Sequence, residues 1–249
     1  MEKQNVIFEN NNYDLLLIKL QGYIKDLKLD IDPNIIKELF NLCLSLTKDY
    51  DESHDITHHI CVVENAFFIL VDFELNKSIH ENYSKIIISK KEYNRLMLLI
   101  LYVAMLHDTV DHKYPTNLEF NRKIMNDFLE KYIPEFKNDI LWIINNISYS
   151  TEVKYGYPIN SDPILQLARD IISDADKIES IGNIGISRCY QYIIASNPTL
   201  TFNEITKLVV QHCHDKLLKI KDNFIRTKPG LVLAESEHEI IANFVKNYE

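Results

Sequence analysis

Glycine and proline are scarce, five and seven among 249 residues. Sandwiches and barrels of many short strands need such turn residues at their reversals, so the scarcity argues against a turn-rich β fold. Basic charge is short as well. The 27 Lys and Arg stand against 36 Asp and Glu, a formal net charge of −9. That balance disfavours a nucleic-acid polymer as partner, because backbone phosphates need a basic surface. It leaves room for a small phosphorylated substrate, which needs only a few local cations. Cys43, Cys61, Cys189 and Cys213 form no CxxC pair, a spacing that suits neither a zinc ribbon nor a disulfide scaffold and points to reduced core thiols. The opening "MEKQNVIFENNNYD" lacks the basic-then-apolar order of a signal peptide. The longest apolar run, "LMLLILYVAML" at 96–106, is too short to span a bilayer. The expectation is a cytoplasmic protein with no membrane partner.

What is present is helical pattern. Hydrophobic residues make up 46% of the chain, enough for a substantial core at this length. "DPNIIKELFNLCLSL" has apolar residues at helical spacing behind an Asp-Pro start. Thr57 to about Leu70 reads as a mostly buried helix, and "EYNRLMLLILYVAMLHD" as a core helix ending in His107 and Asp108. "NKSIHENYSK" is a polar interruption. "NLEFNRKIMNDFLEKYI" and "KNDILWIINNISYS" read as two amphipathic helices, and "TEVKYGYPINSDP" as the clearest loop. The stretch from Ile164 is helical, with a break expected near Gly182 or Gly185. Two more long helices follow. No repeat and no strand pairing stand out. The fold class is therefore all-α, a single domain over residues 31–249 with residues 1–30 as an appended segment.

The stretch "HDITHHICVV" at 54–63 crowds three histidines and an aspartate at the mouth of a helix. Its plainest reading is a wet helix start, with His54 and Asp55 as end-cap residues and His58 and His59 partly exposed. A divalent transition metal, however, wants imidazole nitrogens and carboxylate oxygens from several elements. Three places offer them: His58, the His107-Asp108 pair directly after a deep apolar run, and Asp174 or Asp176 in "SDADKIES". Charged groups in such a place are costly to bury; the plainer alternative is a helix that simply surfaces at His107. Asp174 and Asp176 are separated by roughly 200° around a helix, so only one can face an ion.

The order His, then His-Asp, then Asp along an all-helical chain resembles the HD-domain metal-dependent phosphohydrolases. The likeness is to one subfamily. "SHDITHHICVVENA" resembles S-H-D-x-x-H-x-x-R-V-x-x-x-A, "LHDTVDHKY" resembles L-H-D-x-x-D-x-K-[FY], and "ISYS" matches a segment of the same letters. "DADKIESIGNIGISR" is similar to D-A-D-R-L-D-A-I-G-A-I-G-I-A-R. "HDKLLKIKDNFIRTKPG" is similar to E-K-L-L-K-L-K-D followed by a T-x-x-G turn. The agreement runs from about residue 36 to the C-terminus. It implies an HD-domain helical bundle whose metal ligands are His58, His107, Asp108 and Asp176, the last being the aspartate directly before the basic residue. Asp174 is then a supporting or capping residue. The metal implied is divalent, manganese first, with magnesium, nickel, zinc, iron or cobalt as alternatives. The reaction implied is hydrolysis of a nucleoside triphosphate to monophosphate and pyrophosphate. Phosphodiester or phosphomonoester hydrolysis, or a sensor that binds without turnover, are the alternatives.

Four positions depart from the subfamily: Cys61 and Lys177 stand where it has arginine, Glu179 where it has aspartate, and Asp215 where it has glutamate. Only Cys61 loses a charge. Asp111, three residues after Asp108, would share its face on a continuing helix and could move a proton near the ion. Lys177, beside a ligand, is the first candidate for a phosphate contact and a catalytic role. Lys216 and Lys219 are the next, and Tyr149 could approach the pocket. His212 falls at a family-matching position.

Overall fold

A computed structural model of the chain describes residues 2–51, 54–75, 89–110 and 118–248. Among them the regular elements are helical and there is no strand. The all-α expectation holds. Two compact units are distinguished, one of residues 1–64 and 88–145, the other of 65–87 and 146–249.

The first unit holds α1 (Glu2–Asp26), α2 (Pro33–Thr47), the start of α3 (Ile56–Leu75), α4 (Lys90–Leu106), α5 (Leu118–Tyr132) and α6 (Lys137–Ile144). Asp32 accepts from the Asn34 amide at 2.9 Å with Pro33 at the first helical position, as the Asp-Pro start of α2 foretells. Ser89 and Glu92 close a reciprocal box on the first turn of α4. From Leu96 to Leu106 every residue of α4 is buried, so the apolar run is a core helix. Each large aliphatic side chain there contributes about 1.5–3 kcal/mol of burial. Such a helix can fix whatever stands at its end. Leu20 and Ile24 of α1 are buried too.

The second unit holds the rest of α3, then α7 (Tyr149–Tyr155), α8 (Pro163–Glu179), α9 (Gly182–Ser196), α10 (Phe202–His212), α11 (Leu218–Phe224) and α12 (Lys228–Tyr248). A π-helical turn, Cys213–Leu217, joins α10 to α11. The break between α8 and α9 comes at Gly182, whose φ of +67° suits glycine. One expectation needs correcting. Residues 151–155 are helix, because Ser148 accepts from the Thr151 amide at 3.1 Å and starts α7 in what read as loop. The loop begins only at Gly156, where φ is +82°. The polar segment "NKSIHENYSK" lies outside the described residues.

Candidate metal centre

Asp55 begins α3: its carboxylate accepts from the Thr57 amide at 2.8 Å and the His58 amide at 3.2 Å. That fixes the turn that carries His58 and His59. Both imidazoles are buried, at 2% and 0% exposure, so the wet-start reading fails for them. His107 is the C-cap residue of α4, also buried. The Nε2 atoms of His58 and His107 lie 3.2 Å apart. The Asp108 Oδ2 is 3.8 Å from the first and 3.6 Å from the second. These three residues are one group whose ligand atoms fall within 4.8 Å of one another.

The hydrogen bonds orient the donors. His107 Nδ1 stands 2.9 Å from the Ala104 carbonyl, which can only accept, so Nδ1 carries the proton. In the neutral ring Nε2 is then the lone-pair nitrogen, directed at His58. His59 Nδ1 reaches the same carbonyl at 3.2 Å. Burial, with help from the neighbouring imidazoles, holds the His59 pKa well below its ordinary value. His59 is thus a neutral packing partner, its ring centroid 4.9 Å from that of His107. His54 lies on the rim, its Nε2 4.0 Å from Asp108.

The donor set fits a divalent ion. Two nitrogens about 2.1 Å from one ion, at 90–109° to each other, stand roughly 3.0–3.4 Å apart. The observed 3.2 Å falls in that range, and imidazole with carboxylate suits transition metals. A His/Asp cluster able to hold a divalent cation is therefore present.

The second unit carries a different cluster, on Glu152. Its carboxylate accepts from Arg169 at 2.5 Å, Lys177 at 2.8 Å and Arg226 at 2.6 Å. Arg169 also bonds Asp170 at 2.9 Å and the Asn146 carbonyl at 2.9 Å. Tyr157 donates to Asp170 at 2.6 Å and lies against the guanidinium groups of Arg169 and Arg226. Burial pushes the Glu152 pKa up, but Lys177, Arg226 and Arg169 outweigh it and hold it at about 2.

Lys177 is 2% exposed, and its ammonium also donates to the Ile147 carbonyl at 2.9 Å and to Ser173 Oγ. Three donors therefore meet three internal acceptors. The expectation that Lys177 contacts a substrate phosphate is corrected: it is the buried counter-charge of Glu152. Asp174, fully buried, accepts from the Arg226 amide at 2.8 Å and from the Thr227 amide and hydroxyl, each at 2.7 Å. It holds the segment entering α12, in keeping with the capping reading. Burial raises its pKa to about 7 against those bonds.

Asp176 is half-buried on α8. Lys216 is half-buried in the π-helical turn, its ammonium 4.9 Å from the Tyr149 ring centroid, and Lys219 is exposed on α11. Asp111 lies outside the described residues. Glu152 and Arg169 were missed in the sequence. Arg169, set within the apolar "ILQLARDII", was the available signal, since a buried guanidinium requires a carboxylate.

No family model matches the chain. YpgQ of Bacillus subtilis, an uncharacterized protein, is 26% identical over 155 residues, which cover 61% of this chain and 72% of that one. Its crystal structure matches with a TM-score of 0.59 at 19% identity, covering 86% of this chain and 95% of that chain. The fold is YpgQ-like. A protein of Lactobacillus plantarum, 18% identical, matches with a TM-score of 0.62 over 88% of this chain and 96% of that one. YpgQ is also solved in complex with ADP, where the match is 0.53 at 19% identity over 84% and 94%. Among the described residues, no helix is long and apolar enough to cross a membrane.

Proposed function

We propose that this chain is a metal-dependent phosphohydrolase of the HD-domain type, acting on a nucleoside triphosphate to give the monophosphate and pyrophosphate. The observation that carries the reading is the convergence of His58, His107 and Asp108, whose Nε2 and Oδ2 atoms lie 3.2 to 3.8 Å apart at the end of a rigid core helix. Asp176 is the fourth ligand in this reading, on the strength of the DAD-K pattern that it shares with the HD proteins. The complex of YpgQ with ADP supports a nucleotide as the ligand.

The ion, when bound, supplies Lewis acidity toward water and phosphoryl oxygen, and manganese is the ion we expect. The chain's own residues do the rest. His107 keeps its Nδ1 proton on Ala104, so its Nε2 remains a donor of electrons. Asp111, three residues beyond Asp108, takes the proton that hydrolysis releases. Lys216 and Lys219 meet the phosphates, and Lys177 leaves that set because Glu152 holds it. Water adds across the linkage between the α and β phosphorus atoms, and pyrophosphate departs with the bridging oxygen.

The test is a phosphorus NMR product assay over nucleotides and phosphate esters with added Mn2+. Pyrophosphate together with a nucleoside monophosphate is the expected outcome. Orthophosphate released from a phosphate monoester would reassign the chain to monoester hydrolysis. Orthophosphate with a nucleoside diphosphate would move the cleavage to the terminal phosphate, and no product from any substrate would end the enzyme reading.

A further inference from the structure

Asp108 stands one residue beyond the C-cap of α4, in a turn. The turn is held by its own backbone and by neighbouring elements. The Leu106 carbonyl accepts both from the Thr109 amide at 3.2 Å and from the Thr109 hydroxyl at 2.8 Å. The Thr109 carbonyl in turn accepts from Tyr50 Oη at 3.2 Å and from Asn121 Nδ2 at 3.2 Å. The same amide nitrogen lies 3.3 Å from the Leu46 carbonyl and 3.1 Å from Tyr50 Oη. Thr109 is 0% and Asn121 4% exposed, so the Asn121 bonds to the Thr109 and Leu46 carbonyls form away from competing water.

We infer that Asn121, assisted by Tyr50, is a positioning residue for Asp108. Resting on the metal-site reading above, this assigns a role to a side chain that touches no ligand of the ion. Asn121 ties α5, the end of α2 and the backbone after Asp108 to one another through a single amide. Both acceptor positions of the Thr109 carbonyl are engaged, which fixes the Thr109–Val110 peptide, while the Thr109 amide bond to Leu106 holds the Asp108–Thr109 peptide before it. The carboxylate is thereby held 3.6 and 3.8 Å from the two imidazole nitrogens. Hydrogen bonds that orient a ligand set commonly change metal affinity by 10- to 100-fold when removed. A merely structural Asn121 would affect melting and leave the affinity of the folded protein unchanged.

The experiment titrates the full chain with Mn2+ alone, reading free Mn2+ by electron paramagnetic resonance well below the melting temperature. Asn121→Leu removes the amide at similar volume and is expected to weaken binding roughly 10- to 100-fold with wild-type helix content. Tyr50→Phe should shift Kd less, in the same direction. The double variant should fall short of the product of the two, because both bonds serve one carbonyl. A folded Asn121→Leu with the wild-type Kd overturns the inference; should that variant not fold, an unchanged Kd for Tyr50→Phe does so. A wild-type chain that binds no Mn2+ fails differently, removing the proposed function and this inference with it.

Discussion

The His58–His107–Asp108 group and the Glu152 group are both buried or half-buried clusters of polar side chains, yet they are assembled on opposite principles. Around Glu152, three cations surround a carboxylate at 2.5 to 2.8 Å, and Arg169 takes a second anion in Asp170. Opposite charges answer one another. In the histidine group, ligating atoms converge instead: two Nε2 atoms in hydrogen-bond contact at 3.2 Å and a carboxylate oxygen just beyond. Such a set of nitrogen and oxygen atoms suits a divalent cation. A cluster in which each carboxylate is answered by cations serves stability, and one that gathers ligating atoms is suited to a cation.

The largest expected effect comes from breaking the donor group. Asp108→Ala should take metal content from about one ion per chain to almost none and abolish turnover, while the metal-free stability moves by less than about 1 kcal/mol. Elemental analysis of the purified variant checks it; a full complement of metal would show that the cluster is not the site. Glu152→Gln should do the reverse in kind. Removing one partner of a buried ion network costs about 3–5 kcal/mol, so urea unfolding should shift far more than metal content does.

Acid sharpens the same contrast. The Glu152 pKa lies at about 2, below its ordinary 4.5, so its contribution is full above pH 4.5 and is lost as pH falls toward 2. The loss is on the order of 3 kcal/mol. Glu152→Gln should flatten the stability profile over that window; a variant that keeps the wild-type slope would assign the acid sensitivity to other carboxylates. The smallest effect belongs to Lys219, exposed on α11. Lys219→Ala should lower kcat/KM roughly tenfold if it meets phosphate, with melting unchanged. Unaltered kinetics would leave it as a surface lysine.

Helix starts and the histidine group were legible in the sequence because both are local or strongly patterned. Asp32-Pro33 announces α2, and His107-Asp108 directly after eleven buried residues of α4 stood out, although the resemblance to the HD proteins was needed to choose a ligand over a surfacing helix. Lys177 was misread for a physical reason. Its charge and its neighbour Asp176 suggested a phosphate contact, but in the fold it pairs with Glu152, 25 positions away in a stretch that its glycine and prolines marked as loop. Ser148 overrides that composition by capping α7. Ion pairing over such separations has no periodicity to betray it. Asp174 and Asp176 show the converse, since helical geometry alone assigns them to different directions and capping accounts for the first.

The three bonds that Asp174 accepts come from residues 52 and 53 positions later in the chain. Translation therefore delivers this carboxylate well before its partners. At about 5–20 residues per second the wait is roughly 3–10 s, long against the microseconds in which helices form. During that interval α8 can form, but burying Asp174 as a carboxylate without those donors would be penalised. The ribosome thus imposes an order that a refolding experiment with the complete chain does not: Asp174 receives its three donors late in synthesis, after the rest of α8 already has its partners at residues 146–152.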